Sequence, residues 1–254
     1  MNIRFLGTGA ANWPDSLHGT EEYRRFSSIT VDDTLLIDPG KKIFEFAKDF
    51  GYNHLFDPIE NVLLTHSHDD HLNIENLQKL CDHKKHTLYC EEHVAAAVQN
   101  ITNIEIHPIP LYTPLNIAGY TVTAVPANHG TDNVQEQALH YIIEKDGKRI
   151  FYGCDGAWLR HDTWYYMREF QYDLMIFDGT LGDVCGDYRI FEHNNLRMVE
   201  LMAETVRNTH VLKSDGKIII SHLACKLHGT QKETEKRLAP SQIGVAYDGM
   251  TVNI

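Results

Sequence analysis

Five side chains that can bind a metal ion lie within one six-residue segment of this 254-residue chain. The segment is His66-Ser67-His68-Asp69-Asp70-His71, and it directly follows the apolar stretch 62–65, which is typical of a β-strand. Imidazole and carboxylate are ligands that zinc, manganese and iron accept, and a tight turn after a strand lets alternate side chains converge on one point. The segment therefore predicts a metal site, in outline one that holds two ions.

Other metal-type residues also come directly after predicted strands. They are His129, Asp155, Asp178 and His222. Side chains carried at the strand ends of a rigid sheet can form a precise site. Taken alone, His129 is better explained as an ordinary loop histidine, and Asp155 as a turn residue. Beside the His66–His71 segment, a role in metal binding is favoured for both, and for His222.

The elements that must position these residues can be read from hydrophobic periodicity. Strands are predicted at 3–6, 28–37, 62–65, 87–90, 120–126, 139–144, 149–152, 174–177, 217–221 and 250–254. Helices are predicted at 42–50, 73–81, 92–99, 161–170, 195–207 and 232–238. The Asp146-Gly147 pair predicts a hairpin, because glycine supplies the positive φ of a tight turn, and Asp32-Asp33 is expected to play a similar part within 28–37. This order favours an α/β (or α+β) fold in which two sheets lie between helix layers.

Length, charge and cysteine content narrow the class of protein further. A chain of this length with 43% apolar residues can bury one large core, and no linker divides it, so we expect a single domain over 1–254. The net charge of -12 disfavours long nucleic acid as a partner, because such binding needs clustered Lys and Arg. We expect no membrane span and no secretory leader, hence a cytoplasmic protein. The five widely spaced cysteines predict free thiols.

On these motifs the chain resembles the metallo-β-lactamase superfamily over nearly its whole length. The resemblance rests on Asp38 in Leu36–Gly40, the His66–His71 segment, and the single residues His129, Asp155 and His222, in that order along the chain. The resemblance implies a four-layer αββα sandwich with two metal ions at one edge. It implies that the first ion binds His66, His68 and His129, that the second binds Asp70, His71 and His222, and that Asp155 bridges them.

Within the superfamily, the segments Phe5–Ala11 and Arg24–Ser28 resemble the branch that contains tRNA 3′-processing endonucleases and a cyclic phosphodiesterase of the carbon-phosphorus lyase pathway. Both act on phosphodiesters. The short interval between His129 and Asp155 leaves no room for the tRNA-gripping extension, so the smaller enzyme is the better match. The cysteine cluster that this enzyme uses for a structural zinc is missing, although Cys225 falls where a fourth ligand would sit. We therefore predict no additional zinc site.

The predicted chemistry is hydrolysis at phosphorus by a hydroxide that bridges two divalent ions, zinc or manganese by preference and iron as a further option. We assign His193 as the acid that protonates the leaving group, because its near-neutral pKa allows it to donate and recover a proton. Asp70 is counted with it as catalytic. Asp178 is the candidate to orient His193, Asp38 to fix a metal-bound histidine, and Asp69 to face solvent.

We thus expect a metal-dependent phosphodiesterase for small cyclic or nucleotide-like substrates. One alternative is hydrolysis of a lactone, thioester or β-lactam, in which the same ions would polarise a carbonyl group. A second is a metal-binding sensor without catalysis. The expected partner is a small phosphodiester substrate, and the resemblance adds a homodimer.

Overall fold

The structure, a computed structural model, describes residues 1–254 and contains fourteen strands and six α-helices. The strands are β1 Asn2–Gly7, β2 Ser28–Val31, β3 Leu35–Ile37, β4 Asn61–Leu63, β5 His86–Cys90, β6 Ile104–Pro108, β7 Leu115–Ile117, β8 Tyr120–Pro126, β9 Leu139–Lys145, β10 Lys148–Gly153, β11 Tyr172–Asp178, β12 Leu212–Ser221, β13 Ile243–Val245 and β14 Thr251–Asn253. The α-helices are α1 Ile43–Asp49, α2 Ile74–Cys81, α3 Glu92–Ala97, α4 His161–Met167, α5 Leu196–Asn208 and α6 Gln231–Leu238. Three short 3-10 helices complete the chain: Asp15–Leu17, Tyr188–Phe191 and Ala239–Ser241.

The strands form two mixed sheets of seven. The first has the order β14-β1-β2-β3-β4-β5-β6 and the second β13-β12-β11-β10-β9-β8-β7. In the first sheet β3 to β6 run parallel, and in the second β10 to β13 do. Parallel neighbours end at the same edge of a sheet, so the loops that follow them meet there.

The two sheets pack face to face, and helices cover their outer faces. The central apolar cluster combines side chains of both sheets, such as Phe5 and Ile29 with Tyr141 and Ile150. A second cluster joins α1, α2 and α3 to the first sheet, and a third joins α4, α5 and α6 to the second. Burying both faces of a sheet in this way gives four layers. The αββα sandwich expected from the sequence is therefore confirmed.

Local boundaries differ from the sequence prediction in a few places. The strand region predicted over 28–37 is divided into a hairpin of β2 and β3, and the turn expected at Asp32-Asp33 is confirmed, with φ of 50° at both residues. Positive φ at both central residues is what a tight hairpin turn requires. The strands β6, β7 and β13 were not predicted, because they are short and only partly apolar.

The structure has no helix with the length and apolar character needed to cross a bilayer. All five cysteines are free, as the sequence predicted. Burial raises the pKa of the Cys90 thiol to about 12, so this thiol packs in the core as a neutral apolar group.

Candidate metal centre

The predicted metal-type residues all follow strand ends at one edge of the sandwich. Asp38 follows β3 and the His66–His71 segment follows β4, which is parallel to β3. From the second sheet, Asp155 and His222 follow β10 and β12, and Asp178 ends β11, which is parallel to both. The parallel pairing therefore delivers residues that are far apart in sequence to one place.

Three of these residues have a left-handed backbone. Asp38, Asp155 and His222 have φ of 62°, 60° and 60°. This conformation is uncommon for residues other than glycine and costs free energy unless the surrounding structure holds it. Its recurrence at three strand ends indicates that the chain accepts local strain in order to direct these side chains toward a common point.

The structure brings together all seven residues predicted as metal ligands. Their ligand atoms form two main groups, each with its members within 4.8 Å of one another: His66, His68, His129 and Asp155 in the first, and Asp70, His71 and His222 in the second. This division matches the two sets that the family resemblance implies. Asp69, by contrast, pairs with Lys41 at the surface, as expected for a residue outside the site.

Asp155 lies between the two groups. Its Oδ2 is 3.3 Å from Nε2 of His66 and 3.3 Å from Nε2 of His71, so one carboxylate oxygen contacts both ligand sets. Its Oδ1 is buried and lies 3.0 Å from Nδ1 of His193 and 3.3 Å from Nδ1 of His129, but neither contact is a well-aligned hydrogen bond. Burial alone would raise the pKa of Asp155, but the imidazoles of His129 and His222 hold it well below its ordinary value. The carboxylate is therefore ionised and has bonding capacity to spare.

Supporting hydrogen bonds fix the ring orientation of two histidines. Asp38 Oδ2 is 2.9 Å from Nδ1 of His71, and Asp38 also accepts from the N–H and hydroxyl of Thr65. The Thr180 hydroxyl is 2.7 Å from Nδ1 of His222. In both cases Nε2 is left to face the centre. Metal-binding histidines are held in this way by a partner on the other ring nitrogen.

Glu136 and Thr180 were missed by the sequence analysis. Glu136 is buried and accepts two hydrogen bonds from Ser67, 2.7 Å from the backbone N–H and 2.6 Å from the hydroxyl, so it pins the loop that carries His66 and His68. No local pattern points to Glu136. Thr180 carried a usable signal, because it stands two residues after the strand-ending Asp178.

His193 lies where the sequence analysis expected the acid. Its Nδ1 is 2.8 Å from Asp178 Oδ2 and 3.0 Å from Asp155 Oδ1. Burial disfavours the charged ring, but these two carboxylates outweigh burial and raise the pKa of His193 to about 11, well above the near-neutral value on which the sequence analysis based the role of this residue. Asp178 is fully buried and so orients the ring, while Nε2 of His193 forms no hydrogen bond within the protein. That nitrogen is free to meet a substrate.

These residues line a small pocket of about 200 Å³. Its wall includes His68, Asp70, Asp155, His193 and His222. Residues 10–12, from the segment between β1 and β2, also line it, as do Arg189 and Glu192. A larger groove of about 770 Å³ lies at the opposite end of β12, around Lys213 and Asp215. This groove contains none of the predicted ligands, so the small pocket is the site where chemistry can occur.

The residues present fit divalent metal ions. Imidazole nitrogens and carboxylate oxygens are ligands for zinc, manganese and iron, and they converge here from two sheets. Burying so many polar atoms is costly unless they are paired, and a cation would satisfy the carboxylate of Asp155, whose Oδ1 has imidazoles nearby but no well-aligned hydrogen bond.

The fold and the site define a protein of a metal-dependent hydrolase family. A model of the beta-lactamase superfamily domain matches residues 33–212, and the chain belongs to this superfamily. No curated protein sequence matches the chain significantly.

Solved structures share the fold over the whole chain. Zinc-bound PqqB from Methylobacterium extorquens superposes with a TM-score of 0.80 at 19% identity, covering 100% of both chains. A diphosphatase of the PhnP family gives a TM-score of 0.74 at 19% identity, covering 100% of this chain and 97% of the other. The short form of human tRNase Z gives 0.67 at 16%, with 100% and 99% covered. At such identities the likeness establishes the fold.

Proposed function

We propose that the protein is a phosphodiesterase that uses two divalent metal ions to hydrolyse small cyclic or nucleotide-like phosphodiesters. The observation that carries the proposal is the position of His193. Its ring lines the pocket beside both ligand groups, and its Nδ1 is within hydrogen-bonding distance of the buried carboxylate of Asp178. An acid at this place serves a reaction whose leaving alkoxide needs a proton.

The two ligand groups would each hold one ion. His66, His68 and His129 would hold the first, Asp70, His71 and His222 the second, and Asp155 would contact both. When bound, the ions would lower the pKa of coordinated water and stabilise negative charge that develops at phosphorus. Zinc or manganese suits this ligand set, and iron is compatible with it.

The residues of the chain would do the remaining work. Asp38 and Thr180 keep the ligand rings in place, so no reorganisation is needed when substrate arrives. His193 would donate its Nε2 proton to the leaving oxygen and recover a proton from solvent. Asp178 would keep the ring charged until that transfer, because its carboxylate stabilises the imidazolium.

A small substrate agrees with the dimensions of the site and with the net charge of the chain. A pocket of about 200 Å³ holds a compact molecule, and a net charge of -12 gives little general attraction for long nucleic acid. Among the superposed structures, one is a diphosphatase and another a tRNase Z, and both names describe cleavage at phosphorus. These likenesses support a phosphorus-centred reaction in this chain.

The test is hydrolysis of bis(p-nitrophenyl) phosphate by protein stripped with a chelator and then reconstituted with zinc, manganese or iron. A lactone and a thioester are assayed beside it. We expect metal-restored turnover of the phosphodiester, and loss of that turnover in Asp155→Asn. The matched control is Asp173→Asn, which changes a buried aspartate paired with Lys148 and Lys213. Turnover of the carbonyl substrates alone would contradict the proposal.

A further inference from the structure

The short helix Tyr188–Phe191 borders the pocket and is not used by the proposed chemistry. Of its residues, Arg189 lines the pocket, whereas Tyr188 and Phe191 are largely exposed, at 82% and 78%. The helix ends two residues before His193. Arg189 therefore places a guanidinium in the wall of the pocket, close in sequence to His193.

The guanidinium of Arg189 is held in one orientation. Its Nε and Nη2 donate to the two carboxylate oxygens of Asp187 at 2.9 Å and 2.7 Å. This pairing occupies one edge of the planar group. Nη1 forms no hydrogen bond within the protein, so the other edge, made by Nη1 and the second hydrogen of Nη2, keeps two donors for a ligand.

The backbone of Arg189 is tied to the centre. Its carbonyl oxygen accepts from the N–H of Glu192 at 2.9 Å and from the N–H of His193 at 2.8 Å. The Glu192 carbonyl oxygen is in turn 3.2 Å from Nδ1 of His129. The side chain of Arg189 is therefore positioned by the same segment that carries the proposed acid and contacts a proposed ligand.

We infer that Arg189 determines specificity by binding a second anionic group of the substrate, a phosphomonoester beyond the scissile diester. This inference rests on the proposed function. A guanidinium edge with two parallel donors matches two oxygens of a phosphate, and a charge-assisted pair of this kind is stronger than a neutral hydrogen bond. The ion pair with Asp187 already fixes the guanidinium of Arg189, so little side-chain entropy is lost when the substrate binds.

A purely structural role is the competing explanation. Arg160 makes the same arrangement with the aspartate two residues later, since its Nε and Nη2 donate to Asp162 at 3.1 Å and 3.0 Å. Arg160 does not line the pocket. It therefore offers a matched control, in which a similar local ion pair is broken away from the site.

The experiment compares two substrates of the metal-loaded enzyme. They are the p-nitrophenyl ester of thymidine 5′-monophosphate and the same ester carrying a 3′-phosphate. The parent enzyme is expected to prefer the second. In Arg189→Gln the ratio of kcat/KM for the two substrates should fall about tenfold, mainly through KM, because one charge-assisted interaction is lost. Arg189→Lys should recover part of the ratio, and Arg160→Gln should leave it unchanged.

An equal loss on both substrates would overturn the inference, since it would mean that Arg189 only supports the segment of His193. An unchanged ratio would overturn it as well. In both cases turnover of the parent enzyme persists, so the proposed function stands. A parent enzyme that cleaves neither ester with any of the three metals would instead overturn the proposed function, and the inference with it.

Discussion

The Nδ1 atom of His193 lies 2.8 Å from the Oδ2 atom of Asp178, which is fully buried. Asp178 also accepts hydrogen bonds from the backbone N–H groups of Gly156 and Thr180, so its carboxylate cannot easily turn away. The pair couples the end of β11 to the loop before α5. A rigid carboxylate behind an imidazole fixes its tautomer and orientation, as a positioned acid requires.

The His193→Ala variant should lose turnover mainly on substrates whose leaving group needs a proton. We expect kcat for a 2′,3′-cyclic nucleotide, which releases an alkoxide, to fall by about two to four orders of magnitude. Hydrolysis of bis(p-nitrophenyl) phosphate should fall much less, because p-nitrophenolate leaves without protonation. The measurement is kcat on both substrates at equal metal content. Full turnover of the cyclic nucleotide would remove the acid role from His193.

The Asp178→Asn variant should keep the shape of the His193–Asp178 pair but lose the negative charge that stabilises the protonated ring of His193. We expect an intermediate loss of kcat on the cyclic nucleotide, about tenfold, and a smaller loss on bis(p-nitrophenyl) phosphate. Asp173→Asn is the control, since Asp173 is also a buried aspartate of β11 but pairs with lysines at the start of the strand. Equal effects of the two variants would argue against an orienting role for Asp178.

Asp38→Asn should weaken metal binding without removing a ligand. Asp38 Oδ2 is 2.9 Å from His71 Nδ1, and loss of such a partner costs about 10–100-fold in metal affinity. Competition with a chromophoric chelator measures the affinity. Asp32→Asn, in the hairpin turn between β2 and β3, is the control and should bind metal as the parent does. An Asp38→Asn protein of parental affinity would show that His71 needs no such support.

Tyr141→Phe should destabilise the fold by about 1–2 kcal/mol, the cost of leaving a buried acceptor unpaired. The Tyr141 hydroxyl donates to the Leu64 carbonyl oxygen at 2.6 Å and so joins the second sheet to the segment before His66. Urea denaturation gives the change in the free energy of unfolding. Tyr165→Phe, at an exposed tyrosine of α4, should leave it within about 0.5 kcal/mol. An equal effect of both changes would contradict the account.

The sequence predicted the layer architecture and the convergence of the metal-type residues because both follow from strong local signals. Long apolar strands such as β10 and β11 are recognisable from periodicity, and a histidine or aspartate at the end of a strand can be read from the sequence alone. All seven predicted ligands and His193 meet at one edge. Their roles in binding two ions stay a prediction that the metal measurements test.

Glu136 and Arg189 show what the sequence could not provide. Glu136 contacts Ser67 from a separate loop, and only the packing of the two sheets brings them together. Arg189 sits in a short 3-10 helix with no hydrophobic period, so nothing marks its side chain as lining the pocket. Contacts between distant loops depend on tertiary structure, and local pattern carries no information about them.

The most direct test of the central claim follows metal content and turnover in one titration. Zinc or manganese is added stepwise to chelator-stripped protein, bound metal is measured by mass spectrometry of desalted samples, and hydrolysis of bis(p-nitrophenyl) phosphate is recorded at each step. We predict that turnover rises as the second ion per chain binds. Full turnover with one ion bound, or none with two, would contradict a phosphodiesterase that works with a pair of ions.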